Sequence, residues 1–444
     1  MNYKRFFLLL IVLVFFSAGL LFAESPARVP AGFIETSVVR EQLFDAWFAT
    51  EPSRIIMLKP ANITDRYGQE YKVSNLHVKN DKLFAVSVQA TQAQGIQGTW
   101  VLYRRFSDGL PQKIRIYPLD NPNIWVSLTP FSNRIETGRS KLDLMVYGAP
   151  AILGAPLGIP FLRLYTAPFS DLVSMTQSTA PWELVNPLYD AYADIESAVE
   201  TIRNALNSLV YLEDGAFDHD GRAVYIIDGS LQDPADVILG LAEGQSLESV
   251  IGGVNCSGFA KWVIDGIVRP VAGSSLFLEP LKRSTDSPET HFTEPYRETR
   301  DVFFALDWTR QLASAVLSLS GRGTVFPRES GADVTVEPFS EESLYVPSVG
   351  YRAGIIKSLM YALACTEPGH MYLAAVSRER GDPVLRQYHH VAVLLPYFTH
   401  EGQFTLALFE SAVETSIEEF VSRNEDAYIH LVRVKVPEKG RFLP

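Results

Sequence analysis

Between Arg54 and Tyr147 the chain is a series of short runs rich in β-branched and aromatic residues: Arg54–Leu58, Tyr71–Val78, Leu83–Val88, Thr99–Phe106, Lys113–Pro118, Ile124–Leu128 and Leu142–Tyr147. Gly, Pro, Asn and Asp separate them, as in Asp108-Gly109 and Asp120-Asn121-Pro122. Lys113-Ile114-Arg115-Ile116-Tyr117 alternates with period two, the pattern of a strand with one wet face. So many short strands with turns between them constrain this part to a small barrel or a sandwich. Residues 24–150 are therefore expected to form a β-rich N-terminal domain, opened by a short helix at Val38–Phe48. No reactive constellation lies within it.

From Gly148 to Pro168 the composition turns to Gly, Ala and Pro, which places a linker at residues 151–180. The remainder, 181–444, reads as an α+β domain. Ile195, Val199, Ile202, Leu206, Leu209 and Val210 recur at helical spacing. Further helices are expected around Cys256–Ile267, Arg300–Leu317 and Gly354–Cys365. Strands follow at Met371–Val376, His390–Leu395, Phe404–Phe409 and Ile429–Val436, and the polar stretch Lys282–Glu298 reads as an exposed loop.

The sharpest local signal is Gly252-Gly253-Val254-Asn255-Cys256-Ser257-Gly258-Phe259-Ala260-Lys261-Trp262-Val263. Asn255 is a good N-cap, and Phe259, Trp262, Val263 and Ile267 mark one apolar helical face. Cys256 thus falls in the first turn of a buried helix, where orphan N–H groups and the positive end of the dipole favour a thiolate. Gly258 leaves room beside it for a substrate or a facing strand.

A cysteine nucleophile needs a base and a group to orient that base. Of the eight histidines, the pair at Tyr388-His389-His390-Val391-Ala392-Val393 opens an apolar strand. A turn at Thr399-His400-Glu401-Gly402 leads into Phe404–Phe409, so a hairpin brings Glu410 back towards His390. His389 points to the opposite face. Ser411 also faces away from His390, and Gln387 is a reserve for the orienting role. Helix-borne cysteine, strand-borne histidine and a polar residue on the next strand resemble the papain-like arrangement.

Asn255-Cys256-Ser257-Gly258-Phe259 resembles the Asp-Cys-Ser-Gly signature of the NlpC-type cell-wall peptidases, with Asn255 in place of the Asp. Pro368-Gly369-His370-Met371-Tyr372-Leu373 is similar to their Pro-Gly-Asp strand opening, with His370 at the acidic position, where it reads as structural. His390-Val391-Ala392-Val393 is similar to their His-Val-Gly-Ile strand. The resemblance implies a papain-like fold and a thiol hydrolase acting on peptidoglycan stem peptides. By position, Cys256 is the nucleophile, His390 the base and Glu410 the orienting residue, where the family usually has His, Asn or Gln. The wide spacing of Cys256 and His390 implies an insertion at about 269–349. A transglutaminase-like acyl transferase or protease is the second reading, favoured by the acidic Glu410. A catalytically inactive envelope-binding protein is the third.

Lys4 and Arg5, the apolar run from Phe6 to Phe22 and the small Ala23 have the charge–apolar–small order of a secretory leader covering residues 1–23. The expected location is periplasmic or extracellular; an uncleaved anchor through residues 6–22 is the other reading. The formal net charge is -12, and removing Lys4 and Arg5 makes it more negative. An acidic surface opposes nucleic acid or an anionic membrane as partner. No cofactor or metal is expected: Asp218-His219-Asp220-Gly221 fails the calcium-loop template and reads as a turn before Val224–Ile227. Outside the cytoplasm, Cys256 and Cys365 are expected to pair unless one is catalytic.

Overall fold

A computed structural model of the protein describes residues 28–78, 82–285, 302–321, 323–335, 339, 344–381 and 384–444. The leader expected at 1–23 lies outside the described residues, as does most of the loop expected at Lys282–Glu298. Among the described residues no helix is long and apolar enough to cross a membrane. The fold is mixed, with two large antiparallel sheets. The chain forms two units, the first made of the described residues up to Asp120 with Leu128–Leu142 and Ala155–Trp182. The second comprises Asn121–Ser127, Asp143–Gly154 and Glu183–Pro444.

Helix α1 (Ser37–Leu43) opens the first unit and passes into a wider turn at Phe44–Phe48. Strands β1 (Ala61–Thr64), β2 (Glu70–Val78), β3 (Leu83–Ala90), β4 (Trp100–Arg105), β5 (Pro111–Ile116), β6 (Ile124–Pro130), β7 (Ser140–Val146) and β8 (Ala149–Leu157) follow. They join in chain order in one eight-stranded sheet, where a sandwich would divide them between two. The strand expected at Arg54–Leu58 is instead a helical turn at Pro52–Ile55, because Pro52 at its first position fixes φ for a helix.

Residues 151–180 are folded rather than a linker. They complete β8, then form a 3₁₀ turn at Phe161–Tyr165 and helix α2 (Phe169–Met175), burying Phe161, Leu164, Tyr165, Phe169 and Leu172. The Gly, Ala and Pro content that suggested a linker serves a strand end and turns. Arg40 of α1 is buried here, and its guanidinium donates to the carbonyls of Tyr165 (2.6 Å) and Ala167 (2.9 Å) and to Glu35 (3.0 Å).

In the second unit, helix α3 (Ala193–Ala205) ends earlier than its spacing predicts. Leu209 and Val210 leave it to form β9 (Leu209–Tyr211), because tertiary pairing outweighs helical propensity. Strands β10 (Gly215–Phe217) and β11 (Ala223–Tyr225) make a small hairpin. Helix α4 (Pro234–Leu239) then leads to β12 (Gly252–Val254), which pairs in parallel with β9. Helix α5 (Cys256–Ala272) is buried from Ser257 to Val268, well beyond the single apolar face expected. Helices α6 (Phe304–Ser320) and α7 (Ile356–Thr366) are largely apolar; α6 packs against α5, and all three helices contact β16 of the main sheet.

That sheet contains β13 (Tyr345–Val346), β14 (Gly350–Arg352), β15 (His370–Arg380), β16 (Leu385–Phe398), β17 (Phe404–Glu410), β18 (Val413–Glu414) and β19 (Tyr428–Lys435). Its order is β13-β14-β19-β15-β16-β17-β18, with helix α8 (Ile417–Arg423) between β18 and β19 in sequence. The centre of β15 and the second half of β16 are buried without alternation, as befits strands covered on both faces. The segment expected as an insertion supplies core: Trp308, Leu312 and Ala313 of α6 are fully buried.

Full burial of α5 forces Lys261 and Asp265 into the interior, one turn apart, and they pair at 2.6 Å. Burial pushes the lysine pKa down and the carboxyl pKa up, each opposed by the partner's charge. Asp265 also accepts from the N–H of Leu276 at 2.8 Å. Asp265→Leu, which strands a buried ammonium, is expected to lower stability by about 3–5 kcal/mol, whereas Lys261→Met with Asp265→Leu costs far less. Urea unfolding followed by tryptophan fluorescence measures both.

Candidate active site

The end of β12 delivers the chain into α5 with its first turn held at several points. Asn255 caps the helix, its side-chain oxygen accepting from the N–H of Gly258 at 2.8 Å. The N–H of Asn255 donates to the carbonyl of Gly215 on β10 at 3.0 Å. That approach requires Gly258: a Cβ there would lie 1.9 Å from the Gly215 oxygen. The strand that Gly258 was expected to admit is therefore β10. Gln232 braces β12, its amide accepting from the N–H of Gly253 and donating to its carbonyl, both at 2.8 Å. From α6, the Trp308 indole donates to the carbonyl of Ser257 at 2.9 Å.

These contacts leave Cys256 half-buried at the N-terminus of a 17-residue helix. Its sulfur lies 3.9 Å from the Ser257 hydroxyl. Across from it stands His390, presented by β16 at a β-bulge. Val376 of β15 pairs with His390 and Ser377 with Tyr388, so His389 is the extra residue of the bulged strand. A bulge bends its strand and re-aims the neighbouring side chain. His389 is exposed and meets the Gln387 carbonyl at 3.3 Å, and takes no part in the site.

His390 Nε2 lies 2.5 Å from Glu410 Oε2, which fixes the ring and leaves Nδ1 for the thiol. Glu410 is only 7% exposed and ends β17 immediately before a tight turn. Ser411 and Ala412 both have positive φ (48° and 68°), and the chain returns at once with Glu410 opposite Val413. Two such residues without a glycine or asparagine are a strained way to turn. The turn reverses the chain with no slack beyond the carboxylate. Arg423, from α8, binds the other carboxylate oxygen.

The electrostatics follow from these contacts. Burial alone would raise the Cys256 thiol pKa. The hydrogen bond and charge of His390, with help from the Val391 N–H and Ser257, outweigh it and hold the thiol below its ordinary range. Burial would lower the imidazole pKa, but Cys256 and Glu410 raise it to about 9. Glu410 is held below the usual carboxylate range despite its burial, by His390 first and then Arg423 and Thr415. Both shifts favour the thiolate–imidazolium form of the pair over thiol and neutral imidazole. Among the described residues, the N–H groups of Cys256 and Ser257 meet no protein acceptor. They can therefore bind an oxyanion forming beside the sulfur.

The three residues singled out from sequence, Cys256, His390 and Glu410, thus come together. The reserve, Gln387, pairs with Arg378 of β15 instead. His370 meets the carbonyl of Glu367 at 3.2 Å, away from this site. Both cysteines are free thiols, so the pairing expected of two non-catalytic cysteines does not form. Cys365 is buried at the end of α7, and burial pushes its pKa far up. Asp218, His219 and Asp220 cluster with donor atoms within 4.8 Å. Arg222 engages the carboxylates of Asp218 and Asp220 as the turn between β10 and β11 closes.

Arg423, Trp308, Gly215 and Gln232 escaped the sequence reading. A signal existed for the first of these. Ser416-Ile417-Glu418-Glu419 has the spacing of a capped helix start, and Ser416 indeed accepts from the Glu419 N–H at 3.2 Å. Arg423 in the last turn of that helix could have been noticed, but not what it faces.

Residues 30–184 match a family model described as a domain of unknown function, DUF8515. No curated protein and no solved structure matches the chain. The matched residues contain none of Cys256, His390 and Glu410.

Iodoacetamide is expected to label Cys256 in the native protein at neutral pH and Cys365 only after unfolding. Because His390 stays protonated until the pH approaches about 9, labelling should plateau below that value and rise again above it. Peptide mapping by mass spectrometry checks both statements. Gly258→Ala, which forces α5 away from β10, should reduce the neutral-pH labelling rate and destabilise the fold by about 1–3 kcal/mol.

Proposed function

We propose that the protein is an exported thiol hydrolase of papain-like type that cleaves an amide bond in the peptide stems of peptidoglycan. The observation that carries this reading is the half-buried Cys256–His390–Glu410 array, with its thiol pKa lowered by His390 and unpaired N–H groups at one helix end. A structural cysteine requires none of these. The resemblance of Asn255–Phe259 and His390–Val393 to the NlpC-type peptidases supports the substrate class, as does the leader-like segment at residues 1–23.

The Cys256 thiolate attacks the amide carbonyl carbon, forming a C–S bond and driving an electron pair onto oxygen. The Cys256 N–H receives that oxyanion, where a fixed donor stabilises the transition state more than the substrate. Collapse breaks the C–N bond while His390 gives its proton to the leaving amine. Neutral His390 then takes a proton from water, which hydrolyses the thioester and restores the thiolate–imidazolium pair. Glu410 holds the imidazole in one tautomer and orientation throughout.

An acidic orienting residue also fits a transglutaminase-like acyl transferase, in which an amine replaces water in the second half-reaction. The two readings share Cys256 and His390 and differ in the acceptor.

Purified protein incubated with muropeptides is expected to release a shortened peptide, followed by mass spectrometry. Cys256→Ala and His390→Ala should each reduce turnover by about 10³-fold or more, and Glu410→Ala by about 10–100-fold. Turnover retained by Cys256→Ala would sink the hydrolase reading. Incorporation of an added primary amine in place of hydrolysis would move it to acyl transfer.

A further inference from the structure

An acidic orienting residue poses a problem for a cysteine–histidine pair. A bare carboxylate beside the imidazole over-stabilises the imidazolium and raises the cost of the nearby thiolate, since its charge acts on both partners. A neutral amide would hold the ring without either effect. In this protein Glu410 does not stand alone: one oxygen takes His390 Nε2 at 2.5 Å and the other takes the guanidinium of Arg423.

We propose that Arg423 is a positioning residue whose charge cancels that of Glu410, so that the two together act on His390 as a neutral hydrogen-bond acceptor. The inference rests on the hydrolase reading of the same site and adds to it how the basicity of the histidine is set. The geometry is specific. The carboxylate is buried, Thr415 also bonds it, and the tight Ser411–Ala412 turn leaves it no freedom to swing towards solvent. Arg423 is 51% exposed, so it stabilises the core less than it neutralises a buried anion.

Of the other charged groups near the site, Glu419 shares Arg423 and the rest have partners of their own. On β18, Glu414 is paired with Arg203 at 2.6 Å. On α8, Glu419 lies 3.8 Å from Arg423. On β15, Arg378 donates to the Arg423 carbonyl, and Arg378 and Arg380 act on His389. On β9, the charge of Cys256 acts on Tyr211, as does Glu213. Arg423 holds the Glu410 oxygen opposite the one His390 uses.

The test is the pH dependence of Cys256 alkylation by iodoacetamide, which needs no substrate. Its two inflections report formation of the ion pair and loss of the histidine proton. Arg423→Gln should move both to higher pH by roughly half to one unit, because Glu410 is then uncompensated. Glu410→Gln should move both to lower pH. The double variant, a neutral amide with no cation to balance, should return close to the wild-type profile, and Arg423→Lys should keep it. A structural role for Arg423 would not give opposite shifts that cancel. An Arg423→Gln profile superimposed on wild type, or single-variant shifts in the same direction, would overturn the inference. If muropeptides are not cleaved at any pH while the profiles shift as stated, the hydrolase reading fails and this one stands.

Discussion

A helix buried on nearly every side can be reached by a substrate only at its end, and α5 is built around that restriction. Its body, from Ser257 to Val268, lies within the second unit. Its N-terminus is pressed against β10 so closely that Gly258 has no room for a side chain. The Asn255 cap, the Gly215 carbonyl and the Trp308 indole fix the first turn from three directions. Cys256 therefore occupies one position relative to the sheet, and the remaining machinery is arranged to meet it. Even the buried Lys261–Asp265 pair follows from this placement, because a helix interior to the fold must neutralise every charge it carries.

The sheet answers with two local irregularities. The bulge at His389 re-aims His390, and the strained turn at Ser411–Ala412 stops Glu410 where it can hold the imidazole. Both deviations from regular strand geometry sit beside reactive groups, where backbone strain serves a purpose. The regular parts of β15, β16 and β19 provide the rigid, fully buried platform that such deviations need.

Charge balance connects the site to more distant elements. Arg423 on α8 meets Glu410, and Arg203 on α3 meets Glu414 just past the turn. The hairpin carrying the acid is thus held by cations from two helices far apart in sequence. Glu410, anomalous beside a histidine when considered alone, becomes intelligible as half of a neutral pair.

Much of this was legible in the amino-acid order, because the signals were local. Asn255 before Cys256, with Phe259, Trp262 and Val263 at helical spacing, determined a capped helix with a thiol in its first turn. The apolar run after His390 and the turn at Thr399–Gly402 determined a hairpin that returns Glu410 to the histidine. Elsewhere the local signal misled: Leu209 and Val210 continue a helical pattern yet pair as a strand, and the Gly- and Pro-rich stretch at 151–180 is folded. Only the tertiary structure decided that β10 faces Gly258, that His389 is the bulged residue and that Arg423 reaches Glu410. Those choices depend on which surfaces pack together across long separations in the chain, and periodicity and capping carry no information about them.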